Sequence, residues 1–123
     1  MNSGMHKELD NVASETYVHL TTNGRRTGKS HTVELWFALA GDRIYLSHEG
    51  EETEWMKNVK KDATVRFEIG GREFAGNARL LEDHSEEAWT GEVALYEKYY
   101  GKAAKDVIED WFSLSRLVAV ELA

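Results

Sequence analysis

The sequence contains no cysteine and no proline. Without thiols, disulfides, thiolate zinc sites, iron–sulfur clusters and cysteine nucleophiles are excluded together, and packing alone must hold the fold. No apolar run approaches the roughly 18 residues of a membrane span, and the N-terminal MNSGMHKELDNVASE lacks both the basic and the apolar regions of a secretory signal. A cytoplasmic protein without membrane insertion is the expectation. Basic charge is scarce as well: 15 Lys and Arg stand against 22 Asp and Glu, a net charge of -7. That balance disfavours broad electrostatic binding to nucleic acid or anionic lipid, so any basic site has to be local.

What is present suits a single domain over residues 1–123, with 41% hydrophobic residues, four Trp, five Tyr and four Phe, and with no linker tract, internal repeat or heptad array. A radius of gyration of roughly 14 Å leaves little depth for a buried cofactor. A pocket shared between two copies relieves that shortage, and a homodimer is therefore expected.

Along the chain, YVHLTT from Tyr17 reads as a strand and NGRRTGKS as a loop; HTVELWFALA and RIYLSH then read as two strands joined by a turn at Gly41-Asp42. EWMKNVKK places Trp55, Met56 and Val59 at helical spacing. ATVRFEI and REFAGNARLLE form a hairpin around Gly70-Gly71, with Gly76 as a bulge or a close approach. From Ser85 to Phe112 the period is helical, interrupted at Gly101, and SRLVAVELA closes the chain as a strand. Six strands with inserted helices do not alternate as a parallel doubly wound sheet does. The expected class is mainly β with helices, a six-stranded antiparallel barrel.

Between Asn23 and Ser30 lie Arg25, Arg26 and Lys29, three small polar side chains and two glycines. Arginine forks and approachable backbone N–H groups suit a phosphate; the same composition also describes a solvated hairpin loop. It is not a P-loop, because Gly24 and Gly28 enclose three residues instead of four and a strand follows instead of a helix. The histidines at 6, 19, 31, 48 and 84 show no metal-binding spacing, and no GxSxG elbow accompanies the serines. No metal site is expected. Trp36, Phe37 and Trp55 read first as core and second as walls for a planar ring, while Ser47, His48 and Gly50 end a strand beside a loop, a usual place for ligand contacts.

Taken together, LTTNGRRTGK, ELWF, GDRIYLSHEG and EWMKNVKKDATVRFEIGGREFAGNARLLED resemble the deazaflavin-dependent nitroreductase family, a branch of the pyridoxamine-phosphate-oxidase-like split β-barrels, over about Tyr17 to Asp83. The resemblance implies a cofactor, the deazaflavin coenzyme F420 or FMN, at a dimer interface. It implicates Arg25, Arg26 and Thr27, the stretch His31, Thr32, Val33, Leu35 and Trp36, then Ser47, His48 and Gly50, and Trp55 with Asn58. Hydride transfer to a quinone, nitro compound or enone follows, with Tyr96 and Tyr100 (and Tyr99 beside them) as candidate proton donors. Departures are Glu34 in place of proline, Ser30-His31 in place of Pro-Arg, and a shorter loop after Gly50; the acid at 34 and the lost arginine both make a polyanionic tail less welcome, which keeps FMN as an alternative. The alternatives are a non-catalytic flavin or haem carrier and a single-stranded nucleic-acid binder, the latter opposed by the acidic balance.

Overall fold

The structure is a computed structural model that describes residues 3–123. Its strands are β1 (Tyr17–Asn23), β2 (Ser30–Trp36), β3 (Ala38–Ala40), β4 (Arg43–Glu49), β5 (Thr64–Ile69), β6 (Arg72–Leu80) and β7 (Ser115–Leu122). Its helices are α1 (Ser3–Asn11), α2 (Glu54–Lys61), α3 (Glu86–Tyr100) and α4 (Lys105–Trp111). The strands make one antiparallel sheet in the order β2-β1-β5-β6-β7-β4-β3.

The expected antiparallel, mainly β class with helices is present, but the sheet has seven strands, not six, and its hydrogen-bond ladder does not close. The extra strand arises inside HTVELWFALA. Up to Trp36 this segment pairs with β1; from Ala38 it pairs with β4. Phe37, fully buried, is the break. Its backbone leaves the ladder and is satisfied from α3: the Phe37 N–H donates to the Tyr99 hydroxyl at 3.0 Å, and the Lys98 amine donates to the Phe37 carbonyl at 2.9 Å and to the Glu15 carbonyl at 2.7 Å. The Tyr99 hydroxyl in turn donates to the Thr16 carbonyl at 2.7 Å, with the Phe37 carbonyl at 2.9 Å as its other acceptor.

Two apolar cores follow from the two faces of the sheet. Inside its curve lie Val18, Leu20, Ile44, Leu46, Val65, Phe67, Ile69, Phe74, Val118 and Val120, together with Trp55, Met56 and Val59 of α2. On the outer face of β3, β4 and β7, α3 and α4 cover Ala38, Tyr45, Leu117 and Ala119 with Leu95, Ile108 and Phe112. Strand β7 is thus buried on both faces from Leu117 to Val120, which is why its alternation in the sequence is so shallow. Helix α1 has no counterpart in the sequence reading: Leu9, and Val12 just after the helix, reach the core from a polar segment that shows no clear period.

Local signals account for the joints. Gly70 and Gly71 both take positive φ, 59° and 81°, as the two-residue hairpin between β5 and β6 requires. Gly76 is a close approach and not a bulge: it stays in register with Leu122, and an added Cβ would meet the Glu121 carbonyl. Ser85 caps α3 by accepting the Ala88 N–H at 3.1 Å. In the same first turn, Glu87 receives Arg79 through two bonds of 2.7 and 2.8 Å, Arg43 at 2.9 Å and the Tyr45 hydroxyl at 3.2 Å. The Arg79 guanidinium holds the Glu87 carboxyl below its usual range, and this network pins the start of α3 to the sheet.

Two consequences can be measured. A Cβ on Gly91 in α3 would lie 2.7 Å from the Tyr45 ring and 3.0 Å from Leu117, so Gly91→Val is expected to lower unfolding free energy in urea by about 1–3 kcal/mol through overpacking. Burial pushes the Lys98 amine down to about 8, below the value of about 10.4 for a free lysine. Between those values the unfolded chain binds more protons than the folded one, so stability rises with pH. Wild type should gain stability relative to Lys98→Met from about pH 8 towards pH 10, with a flat difference below pH 7.

Candidate cofactor site

The loop Gly24–Lys29 joins β1 to β2 and folds on itself before it meets any ligand. The Gly24 N–H donates to the Lys29 carbonyl at 2.8 Å and the Gly28 N–H to the Gly24 carbonyl at 2.9 Å, while Gly28 takes φ 75°, a conformation that suits glycine. Gly24 itself is packed tightly: a Cβ there would sit 2.7 Å from the Lys29 carbonyl and 3.3 Å from the His31 ring.

One buried side chain ties this loop to the fold. Asn58 of α2 is 2% exposed. Its amide N–H donates to the Thr22 hydroxyl of β1 at 3.1 Å, and its carbonyl accepts both the Arg25 backbone N–H at 3.2 Å and the Arg25 Nη1 at 3.0 Å. The other end of the Arg25 guanidinium meets Glu54, with Nη2 at 3.2 and 3.1 Å from the two carboxylate oxygens. Hydrogen bonding to Arg25 and its charge hold the Glu54 carboxyl below the usual range. At the base of the loop, Asn23 donates to Asp62 at 3.1 Å.

These parts enclose a cleft of about 540 Å³ lined by Arg25, Arg26, Thr27, Lys29, His31, Thr32 and Val33 from the loop and β2, and by Glu54, Trp55 and Asn58 from α2. The structure therefore brings Arg25, Arg26, Thr27, His31, Thr32, Val33, Trp55 and Asn58 to one place. Lys29 and Glu54 join them; Lys29 was visible in the loop's charge, whereas nothing in the sequence marked Glu54, the first residue of a surface helix.

The other expected positions lie elsewhere. Leu35 packs against the inner core. Trp36, 42% exposed, stacks on Tyr99 with ring centroids 4.0 Å apart and planes 10° apart, and leans towards Tyr100. Tyr96, Tyr100 and Trp111 complete that aromatic group. Trp36 lies six positions beyond Ser30, about 20 Å along an extended strand, and Tyr96 and Tyr100 are not among the residues that line the basic cleft. Ser47 and His48 pair with Leu117 and Arg116 of β7, and the Gly50 carbonyl accepts from Arg116 at 3.2 Å. On its other side β4 is laddered to β3 only from Arg43 to Tyr45. It also comes near β2, an edge strand, but among the described residues no ladder joins the two. Of the three aromatics with a double reading, Phe37 and Trp55 are buried in the inner core, Trp55 also walling the cleft, and Trp36 is a surface ring.

Glu34 does not face the cleft. It accepts from His19 Nε2 at 3.0 Å on the outer face of the sheet, where His19 Nδ1 also lies 3.6 Å from Glu68, so the carboxylate is turned away from the residues that would meet an anionic ligand.

Cations Arg25, Arg26 and Lys29 beside an aromatic wall suit an anionic group attached to a flat apolar one. The residues present fit a deazaflavin or flavin cofactor in that respect. Residues 4–109 match the sequence family described as F420H(2)-dependent quinone reductase. No curated protein matches the sequence. Among solved structures, a conserved hypothetical protein from Mycobacterium tuberculosis superposes with a TM-score of 0.78 at 21% identity, covering 99% of this chain and 81% of that one. An F420-H2 dependent reductase superposes at 0.64 and 22% identity, covering 86% and 94%. A pyridoxamine 5'-phosphate oxidase-like protein from Listeria innocua superposes at 0.65 and 16% identity, covering 96% and 93%. At such identities the structures speak for a shared fold, and the family match speaks for descent over most of the chain. The chain belongs to the F420H(2)-dependent quinone reductase family, a family of oxidoreductases whose cofactor is coenzyme F420.

Proposed function

We propose that this protein binds coenzyme F420 in the basic cleft beside β2 as a split-barrel homodimer in the cytoplasm, and that it passes hydride from the reduced coenzyme to a small acceptor such as a quinone, nitro compound or enone. The observation that carries the reading is the cleft itself: an otherwise acidic chain gathers Arg25, Arg26 and Lys29 against Trp55 at the start of an edge strand. The anionic tail lies at that end, held by charge-assisted hydrogen bonds, and the ring lies further along β2 towards Trp36, with Ser47 to Gly50 on β4 and the turn after it as its further contacts. When bound and reduced, the coenzyme supplies the hydride. The chain's own residues orient it: the loop fixes the tail, Val33 and Trp55 exclude water, and the buried Asn58 keeps the Arg25 guanidinium in place.

A second copy belongs to this reading because one chain leaves its aromatic group uncovered: Tyr17, Trp36, Tyr100 and Trp111 are 46, 42, 49 and 54% exposed. Side chains of that size exposed together favour burial against another apolar surface. Covering them also dries the end of β2 where the ring would sit, and Tyr96 and Tyr100 would then give the proton that a quinone needs after hydride arrives. Among the described residues no helix is long and apolar enough to cross a membrane.

The structure changes which residues test the tail site. Arg25 is tied to Asn58 and its side chain is only 20% exposed, so its removal disturbs the fold as well as the ligand. Arg26 and Lys29 are exposed. Removing both is expected to weaken F420 binding at least tenfold, at about 1.5–3 kcal/mol per charge-assisted bond, with urea stability unchanged. Titration of wild type with F420 and separately with FMN, read by tryptophan emission, measures this. Tight binding of FMN alone reassigns the cofactor, and binding of neither overturns the reading. For the dimer, light scattering at micromolar concentration should give twice the chain mass; a monomer would overturn that part.

A further inference from the structure

The Arg25 guanidinium has two partners of opposite character. On its buried side Asn58, 2% exposed and locked to Thr22, accepts from both the Arg25 backbone and Nη1. That contact belongs to the folded framework. On its solvent side the Glu54 carboxylate, with a side chain 73% exposed, takes Nη2 with both oxygens. A carboxylate set this way occupies the position that an incoming phosphate or carboxylate oxygen needs. The remaining charges around it are cationic: Lys57 Nζ lies 3.8 Å from Glu54, and Arg26 also acts on it. Glu54 is thus the one acidic side chain lining the cleft among the described residues.

We propose that Glu54 is a specificity-determining residue of the cleft, an internal anion that occupies Arg25 in the free protein and has to be displaced before an external anionic group can engage it. The inference rests on the reading of the cleft as the site of the cofactor's anionic tail and adds to it a reason for selectivity. A ligand gains from Arg25 only what exceeds the pair already there, and it also meets the repulsion of a carboxylate beside its own charge. Weakly anionic ligands are excluded by the first effect. The second grows with the ligand's charge and limits how much anionic tail the cleft accepts. Because Asn58 holds the guanidinium independently, removing the charge at 54 leaves Arg25 oriented and available. An exposed pair contributes little to folding, so the variant is expected to remain folded.

The test compares wild type, Glu54→Gln and, as a control, Glu52→Gln, whose carboxylate is paired with Lys60 on the same segment at 3.1 Å and does not line the cleft. Binding of inorganic pyrophosphate and of coenzyme F420 is followed by tryptophan emission at low salt, after urea unfolding confirms equal stability. Glu54→Gln is expected to bind pyrophosphate three- to tenfold more tightly than wild type, to gain less for inorganic phosphate, and to lose the advantage as salt screens the site. Glu52→Gln is expected to match wild type. Equal or weaker pyrophosphate binding by Glu54→Gln, an equal gain in Glu52→Gln, or no pyrophosphate binding by either Glu54 protein overturns the proposal. The F420 arm separates it from the reading beneath it. Tighter pyrophosphate binding with no F420 binding in any variant removes the cofactor assignment and leaves the internal anion standing. F420 binding to wild type without a gain in Glu54→Gln removes the internal anion alone.

Discussion

At Phe37 one continuous stretch of β-forming sequence has to serve two distant parts of the sheet, and a backbone that changes partners leaves hydrogen-bonding groups behind. A buried unpaired amide or carbonyl costs about 1–3 kcal/mol, so the change of partner stands only because α3 brings polar atoms to the corner. Tyr99 accepts the orphaned N–H, and Lys98 reaches the carbonyl with its ammonium 3.4 Å over the Phe37 ring. The same two side chains hold the carbonyls of Glu15 and Thr16, the lead-in to β1. Both sheet edges and the placement of Trp36 on Tyr99 depend on this corner.

A second buried polar group does for the cleft what the corner does for the sheet. Asn58 spends its amide on Thr22 and its carbonyl on Arg25, so a strand, a loop and a helix converge on one side chain that is out of water. Partners that satisfy such a group are hard to exchange, because any alternative leaves it unpaired. The basic loop is therefore less free than its glycines suggest. Arg25 belongs to the framework, while Arg26 and Lys29 remain at the surface and Glu54 faces the guanidinium from the solvent side. A division between fixed and displaceable partners is what allows the cleft to keep its shape while it exchanges one anion for another.

Much of this was legible from local pattern. Gly70-Gly71 dictated a tight hairpin, the spacing of Trp55, Met56 and Val59 a helix with one buried face, and Ser85 with Gly101 the ends of α3. The charge of the Asn23–Ser30 loop in an acidic chain pointed to the cleft before any geometry was known. Other features were hidden because their causes lie far off in the chain. Phe37 looks like any strand residue until Tyr99 arrives 62 positions later, and β7 shows little alternation because helices cover the face that a half-exposed strand would give to water.

The sequence by itself determined the antiparallel mainly β class, the absence of thiol chemistry and the place of the basic loop, since each follows from residue type or from spacing within a single turn or strand. Only the tertiary structure decided that the sheet has a seventh strand and stays open, that Glu34 turns to His19 and away from the cleft, and that Glu54 holds Arg25. Each of these is a pairing between residues remote in sequence, and which remote groups meet is set by how the sheet curves and the helices pack, not by the residues on either side.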